Sequence, residues 1–114
     1  MIEFTIPLAL PSEANISEHW TVRSKRRNSQ NFALKLYLNK YEKPGLPCTI
    51  TLIRIGPKPL DSDNNISAFK SIRDFIADWV NPGKAKGQAD NDPRIIWQYG
   101  QETAKLHGIR IRIV

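Results

Sequence analysis

Aspartates are concentrated in one part of the sequence, and basic residues in another. Six of the eleven acidic residues fall within 61–92, whereas the segment 22–60 holds nine basic residues and a single acid. The six are Asp61, Asp63, Asp74, Asp78, Asp90 and Asp92. Mg²⁺ is usually held by one or two carboxylates together with water and a substrate phosphate, and basic residues hold polyanions. This distribution favours metal-dependent chemistry on a nucleic acid, although a solvated surface without a ligand would have the same composition.

The strongest local signal is the segment 60–64, which reads Leu-Asp-Ser-Asp-Asn. Asp61 and Asp63 stand between a predicted strand and a predicted helix, where two carboxylates can share a magnesium ion. The competing interpretation is helix capping, in which Asp63 or Asn64 accepts backbone N–H bonds. A calcium-binding EF-hand is excluded, because Ile66 stands where that loop requires glycine.

Further residues could join this aspartate pair. Lys70 follows Asp63 by seven residues, about two helical turns, so one continuous helix would place both on the same face. A lysine there would offset charge on a phosphate oxygen, and Asp74 would pair with it at i,i+4. We expect Asp90 to reach the pair if the strand that follows it lies beside the strand ending at Gly56. Three carboxylates brought together imply a bound cation or a raised pKa.

A basic cluster with an aromatic neighbour follows Trp20. Its members are Arg23, Lys25, Arg26 and Arg27. Basic side chains contact phosphates, and tryptophan offers a stacking surface for a base. We predict that the cluster lies in a long loop over 10–28, because no hydrophobic period is sustained there and loops of this length are usually functional. A solvated basic loop without a ligand is the alternative interpretation.

The elements that must position these residues follow from hydrophobic periodicity. Alternating residues predict four strands, over 2–8, 48–56, 93–102 and 108–114. Helical spacing predicts two helices, over 29–41 and 65–80. The order β-α-β-α-β-β predicts an α+β two-layer fold, a mixed four-stranded sheet with both helices packed on one side. In the last strand, Arg110 and Arg112 share one face and are further candidates for phosphate contacts.

The composition restricts the number of domains, the kind of partner and the cellular compartment that we expect for this chain. Its 114 residues predict a single domain over 1–114, and its net charge of +6 favours a polyanionic partner. No apolar run approaches the roughly 18–20 residues that a membrane span needs, so we expect no membrane. Cys48 is the only cysteine, which excludes an intramolecular disulfide and a cysteine-based zinc site. We therefore expect a reducing cytoplasm, that of a bacterium or of a phage-infected bacterium.

Two segments, near residues 10–20 and at 61–64, resemble the RusA family of Holliday-junction resolvases, small endonucleases associated with phages and prophages. The sequence 10–12, Leu-Pro-Ser, followed by Asn15 and Trp20, resembles the N-terminal P-S-x-N segment of the family with its nearby aromatic residue. The sequence 61–64 matches the family's D-x-D-N motif. In the family, both aspartates of that motif bind metal and are catalytic.

Two later segments extend the resemblance in the same order. Lys70-x-x-x-Asp74 is similar to the family's helical K-x-x-x-D, although the lysine follows the second aspartate by seven residues rather than four. Asp90 stands where the second aspartate of a D-D pair, the third catalytic acid, is expected. Ala89 replaces the first aspartate of that pair, and Asp92 is the candidate to compensate.

The resemblance implies a Mg²⁺-dependent endodeoxyribonuclease, with Mn²⁺ as a substitute, that cuts branched DNA such as a four-way junction in recombination and repair. Asp61, Asp63 and Asp90 would hold the metal, and Lys70 would offset charge on the phosphate. Supporting roles would fall to Asn64, Asp74 and Asp92. A homodimer is also implied, because two matched cuts need two sites related by two-fold symmetry. A non-catalytic DNA-binding module and a small protein that binds a partner protein remain alternatives.

Overall fold

A mixed sheet forms one layer of the fold. The computed structural model describes residues 1–12, 19–85 and 87–114. The described strands are β1 (Ile2–Ile6), β2 (Cys48–Gly56), β3 (Ile95–Thr103) and β4 (Gly108–Ile113). They lie in the order β1-β4-β2-β3, in which β2 and β3 are parallel and both β1–β4 and β2–β4 are antiparallel. The predicted mixed four-stranded sheet is therefore confirmed.

Helices form the second layer. The described α-helices are α1 (Trp20–Leu38), α2 (Ser62–Ala68) and α3 (Lys70–Val80), and a short 3₁₀ turn spans Ala89–Asn91. Alternation along β2 buries Ile50 and Leu52 completely beneath the helices, while Thr49 and Thr51 lie on the opposite, open face. None of the described helices is long and apolar enough to cross a membrane.

Helix α1 begins at Trp20, nine residues earlier than predicted, so the expectation of a loop is wrong for 20–28. His19 caps the helix through Nδ1, which accepts a hydrogen bond from the N–H of Thr21 at 3.2 Å. The second half of α1 buries Leu34 and Leu38, whereas the first half faces α3 with polar side chains. Hydrophobic periodicity therefore identified only the half that packs into the core.

The helix predicted over 65–80 is two helices, because the α-helical pattern is interrupted at Phe69, where φ is −86° and ψ is −1°. The Phe69 N–H donates to the carbonyl of Ile66 at 3.1 Å, an i→i+3 bond that tightens the last turn of α2. The Phe69 ring is fully buried, so the break places a large apolar side chain in the core. This break separates Asp63 from Lys70, so the two do not share one continuous helical face.

The core lies between the helices and the inner face of the sheet. Each fully buried Leu, Ile or Phe side chain contributes roughly 1.5–3 kcal/mol relative to an exposed one. Fully buried members include Leu38, Phe69, Ile72, Ile76, Ile50, Leu52, Ile109 and Ile111. This packing holds α3 against the sheet and thereby sets where the residues at its two ends are placed.

Candidate functional site

The aspartate pair lies at the junction between β2 and α2, as the sequence predicts. Asp61, and not Asp63 or Asn64, caps α2: its Oδ1 accepts the N–H of Asn64 at 2.9 Å, and its Oδ2 accepts Nδ2 of Asn64 at 3.1 Å. Asp63 is exposed in the first turn, and its side chain makes no hydrogen bond or ion pair with the described residues. Each Asp61 oxygen keeps a further lone pair, so capping leaves both carboxylates able to accept a ligand.

A buried arginine, absent from the predicted site, holds this end of β2. Nε of Arg54 donates to the carbonyl of Leu10 at 2.8 Å, and Nη1 donates to the carbonyl of Lys58 at 2.9 Å. Leu10 begins the P-S-x-N-like segment, and Lys58 precedes the D-x-D-N-like segment. Arg54 thus joins two of the four segments on which the resemblance depends, although Asn15 of the first lies outside the described residues.

The strand alternation contains the signal that could have identified Arg54. Arg54 lies on the same, core-facing side of β2 as Ile50 and Leu52, yet it is charged and only 7% exposed. Burial lowers the pKa of its guanidinium, because the charged form loses solvation there. A basic residue at an inward position of a buried strand indicates a structural or ligand contact rather than a solvated surface.

Residues of strand β3 form hydrogen bonds with residues at the start of α2 and just before it. Leu60 donates its N–H to Oε1 of Gln101 at 2.8 Å and accepts Nε2 of Gln101 at 2.6 Å through its carbonyl. Farther along, Nδ2 of Asn65 donates to the carbonyl of Gly100 at 3.2 Å. These bonds place the aspartate pair beside the C-terminal part of β3.

Asp90 lies toward the opposite end of the parallel strand pair from Asp61 and Asp63. Strand β3 does neighbour β2 as expected, but parallel pairing places the segment before β3 near the start of β2. Oδ2 of Asp90 accepts a hydrogen bond from Nε of Arg73 at 3.1 Å, and its carbonyl accepts one from Nε1 of Trp97 at 3.2 Å. Across the described part of the chain, no three His, Cys, Asp or Glu side chains are grouped to hold a metal.

Neither Ala89 nor Asp92 supplies the carboxylate that the first aspartate of the family's D-D pair would provide. Ala89 is fully buried, so an aspartate at this position would place a charge in the core. The carboxylate of Asp92 accepts the Nη2 of Arg94 at 2.7 Å and the Nδ2 of Asn81 at 3.0 Å. Hydrogen bonds from Arg94, and more weakly from Asn81, hold the pKa of the Asp92 carboxyl well below its usual range. Asp92 is therefore engaged in a local structural pair.

Lys70 and Asp74 form the i,i+4 ion pair that the sequence predicts, with Nζ and Oδ2 3.8 Å apart. Burial is the main cause that raises the pKa of the Asp74 carboxyl, and its Oδ1 is buried without a hydrogen-bond partner in the described structure. Both residues line a groove of about 440 Å³ between α1 and α3. Arg27 and Asn31 line the same groove, so the structure brings one member of the basic cluster to the lysine.

The basic cluster lies on α1 rather than in a loop. Lys25 is exposed, while the three arginines of the cluster are partly buried. Trp20, at the start of the helix, is 71% exposed and lies against the ring of His19, with centroids 5.6 Å apart. On the open face of the sheet, Arg110 forms an ion pair with Glu102, and Nε of Arg112 lies 3.6 Å from Oε2 of Glu3.

No protein-family model, curated protein or solved structure matches this chain. Within the described residues, the side chains that could take part in catalysis or DNA binding lie mainly at two places in the fold. The C-terminal end of β2 carries an exposed aspartate, a capping aspartate and a buried arginine. The α1–α3 groove carries Lys70, Asp74 and part of the basic cluster.

Proposed function

We propose that this protein is a Mg²⁺-dependent endodeoxyribonuclease that cuts branched DNA, the activity that the RusA resemblance implies. One observation carries the proposal. The guanidinium of Arg54 bonds to the carbonyls of Leu10 and Lys58, and so brings the P-S-x-N-like and D-x-D-N-like segments to the same end of β2. Nearly 50 residues separate these segments in the sequence, and their meeting supports a shared role.

The metal would be held by Asp61 and Asp63. Mg²⁺ needs only one or two protein carboxylates when substrate phosphate and water complete its shell, so this pair fits. Asp90 is engaged by Arg73 elsewhere in the fold, and we assign the metal to two carboxylates rather than three. A bound Mg²⁺ would supply an activated water and would stabilise the negative charge that develops on the leaving oxygen.

The chain's own basic residues would bind and orient the DNA. Lys70 is 70% exposed and can offset charge on a phosphate, while Asp74 restrains its side chain through their ion pair. The exposed Lys25 and Trp20 on α1 are candidates for a phosphate contact and for a stacking surface. The net charge of +6 strengthens association with any polyanion.

A DNA-binding protein without turnover is the second candidate. The observation that favours it is the engagement of Asp90 by Arg73, together with the lack of any three-carboxylate group among the described residues. Such a protein would keep the basic surface but would not cleave DNA. Both candidates predict salt-dependent DNA binding, and only the first predicts metal-dependent cleavage.

A labelled four-way junction and a linear duplex of the same sequence distinguish the two candidates. We expect MgCl₂ or MnCl₂ to support cleavage of the junction, and EDTA to abolish cleavage while binding persists. Asp63→Asn serves as the inactive variant, and Glu42→Gln, an exposed acid in the connection between α1 and β2, serves as its matched control. Junction binding without cleavage at any metal concentration selects the second candidate. A chain that neither binds nor cuts the junction overturns both.

A further inference from the structure

Two large apolar side chains are exposed to solvent on the second half of α1. Phe32 is 65% exposed and Leu36 is 54% exposed. They are four residues apart, so their side chains are neighbours on the helix surface. Leu34 and Leu38 pack into the core from the other side of α1, whereas Phe32 and Leu36 lie outside the described core cluster. Single exposed apolar residues are common on proteins, but an adjacent pair forms a patch that a ligand can cover.

Exposed lysines flank this apolar pair. Lys25 lies seven residues, about two helical turns, before Phe32, and Lys35 lies three residues after it. The helix Trp20–Leu38 carries five basic residues and no acidic residue. Charge complementarity therefore requires a ligand that combines negative charge with an apolar surface. We call the surface formed by Lys25, Phe32, Lys35 and Leu36 the outer face of α1.

We propose that the outer face of α1 binds an unpaired segment of a DNA strand. A base that has left the stack presents an apolar ring face on which an aromatic side chain stacks, and the phosphates beside it attract lysines. A base pair inside a duplex has both faces covered by its neighbours and offers no such surface. The inference rests on the DNA binding in the proposed function, and it adds which part of branched DNA this helix contacts.

The small size of the apolar pair argues against a protein partner. A standard protein interface buries about 800 Å² on each partner, whereas one aromatic side chain buries at most about 250 Å². The pair's exposed neighbours on α1 and at its C-terminal end include Asn28, Ser29 and Asn39, which add no apolar side chain. A single strand needs no larger patch, because each of its bases stacks on one side chain at a time.

Two labelled probes test the inference on the intact chain: an oligothymidylate of about twelve nucleotides, within the usual range of site sizes, and a fully paired linear duplex. Phe32→Ala should weaken binding of the oligothymidylate about tenfold, because one stacked base is lost, and should leave duplex binding unchanged. Phe32→Tyr keeps a ring and should bind both probes as the native chain does. Leu106→Ala, an exposed apolar residue between β3 and β4, is the matched control and should change neither affinity. Urea denaturation checks that each variant is folded.

The outcomes separate this inference from the proposed function. Equal loss on both probes in Phe32→Ala, or no loss on either, would overturn the inference, while Mg²⁺-dependent cleavage of the junction would still support the proposed function. Ring-dependent binding of the oligothymidylate by a chain that cuts no junction would overturn the endonuclease and leave the inference standing. Phe32-dependent binding to vesicles of anionic phospholipid, without binding to the oligothymidylate, would assign the outer face of α1 to a membrane surface and overturn the inference.

Discussion

The guanidinium of Arg73 donates a hydrogen bond from Nε to Oδ2 of Asp90 at 3.1 Å. The same group lies 4.8 Å from the ring centroid of Trp97, and its Nη1 donates to the hydroxyl of Tyr99 at 2.8 Å. Both charged side chains are less than a third exposed, so their attraction is screened less than that of a surface pair. This network packs α3 against β3 and gives Asp90 a structural partner.

Asp90→Asn should therefore lower the free energy of unfolding. Loss of a hydrogen bond between charged groups in this partly buried position predicts a decrease of about 1.5–3 kcal/mol. Urea denaturation measures it, and a double-mutant cycle with Arg73→Met isolates the pair from other effects of each substitution. Native stability together with complete loss of Mg²⁺-dependent cleavage would instead identify Asp90 as a metal ligand and exclude the two-carboxylate site.

Asp63→Asn should abolish cleavage and leave junction binding intact or slightly tighter. The substitution removes a metal ligand and also a charge that repels phosphate. Asp61→Asn should behave in the same way and keep its fold, because asparagine caps a helix about as well as aspartate does. Cleavage rates and binding in EDTA measure the two effects separately. A variant that cuts at the native rate in Mg²⁺ shows that the substituted aspartate does not bind the metal.

Removal of the basic cluster on α1 should weaken DNA binding and flatten its salt dependence. Each lost phosphate contact removes about 0.9 from the slope of log affinity against log salt on duplex DNA. We expect Lys25→Ala to lose about one contact, and the joint alanine replacement of Arg23, Lys25, Arg26 and Arg27 to lose several. Lys105→Ala, in the connection between β3 and β4, is the matched control. If the slope of log affinity against log salt is unchanged in the quadruple variant, the cluster makes no phosphate contacts and is only a solvated surface.

Asp92 should contribute stability that is lost in acid. The hydrogen bonds from Arg94 keep the folded-state pKa of Asp92 below its ordinary value of 3.8, so the unfolded chain binds the proton more readily. The contribution is complete above that ordinary value and disappears as the pH falls through the folded-state pKa. Urea midpoints measured from pH 7 down to about pH 2 should fall less steeply for Asp92→Asn than for the native chain. Parallel curves would show that the pair contributes nothing.

We predict a homodimer of twice the 13.0 kDa chain mass, with the open face of the sheet as its interface. Alternation in the structure decides that Thr49, Thr51 and Ile53 face outward on this side, where Ile96 is 55% exposed. Ile96→Glu should dissociate the dimer in sedimentation equilibrium at micromolar concentration. Leu36→Glu, at a similarly exposed position of α1, should not. A native chain that stays monomeric with junction DNA bound would exclude paired cutting by a dimer.

The four strands and the two helical segments between them could be predicted in order from the sequence, because alternation and helical spacing are properties of neighbouring residues, although the second helical segment is two helices. The bounds of β2 are confirmed at Cys48–Gly56. The first half of α1 could not be predicted in this way, since its inner side meets α3 through polar side chains and shows no apolar period. The break at Phe69 was missed for a related reason: both sides of the break continue the same apolar spacing.

The sequence by itself determined the presence of the aspartate pair at the end of a strand and the alternation of residues along β2. Only the tertiary structure decided which face of β2 is buried and which distant segments meet. Parallel pairing of β2 with β3 moves Asp90 away from Asp61, while one buried guanidinium at Arg54 brings Leu10 and Lys58 together. Strand direction and pairing depend on contacts between residues far apart in the chain, and local periodicity carries no record of them.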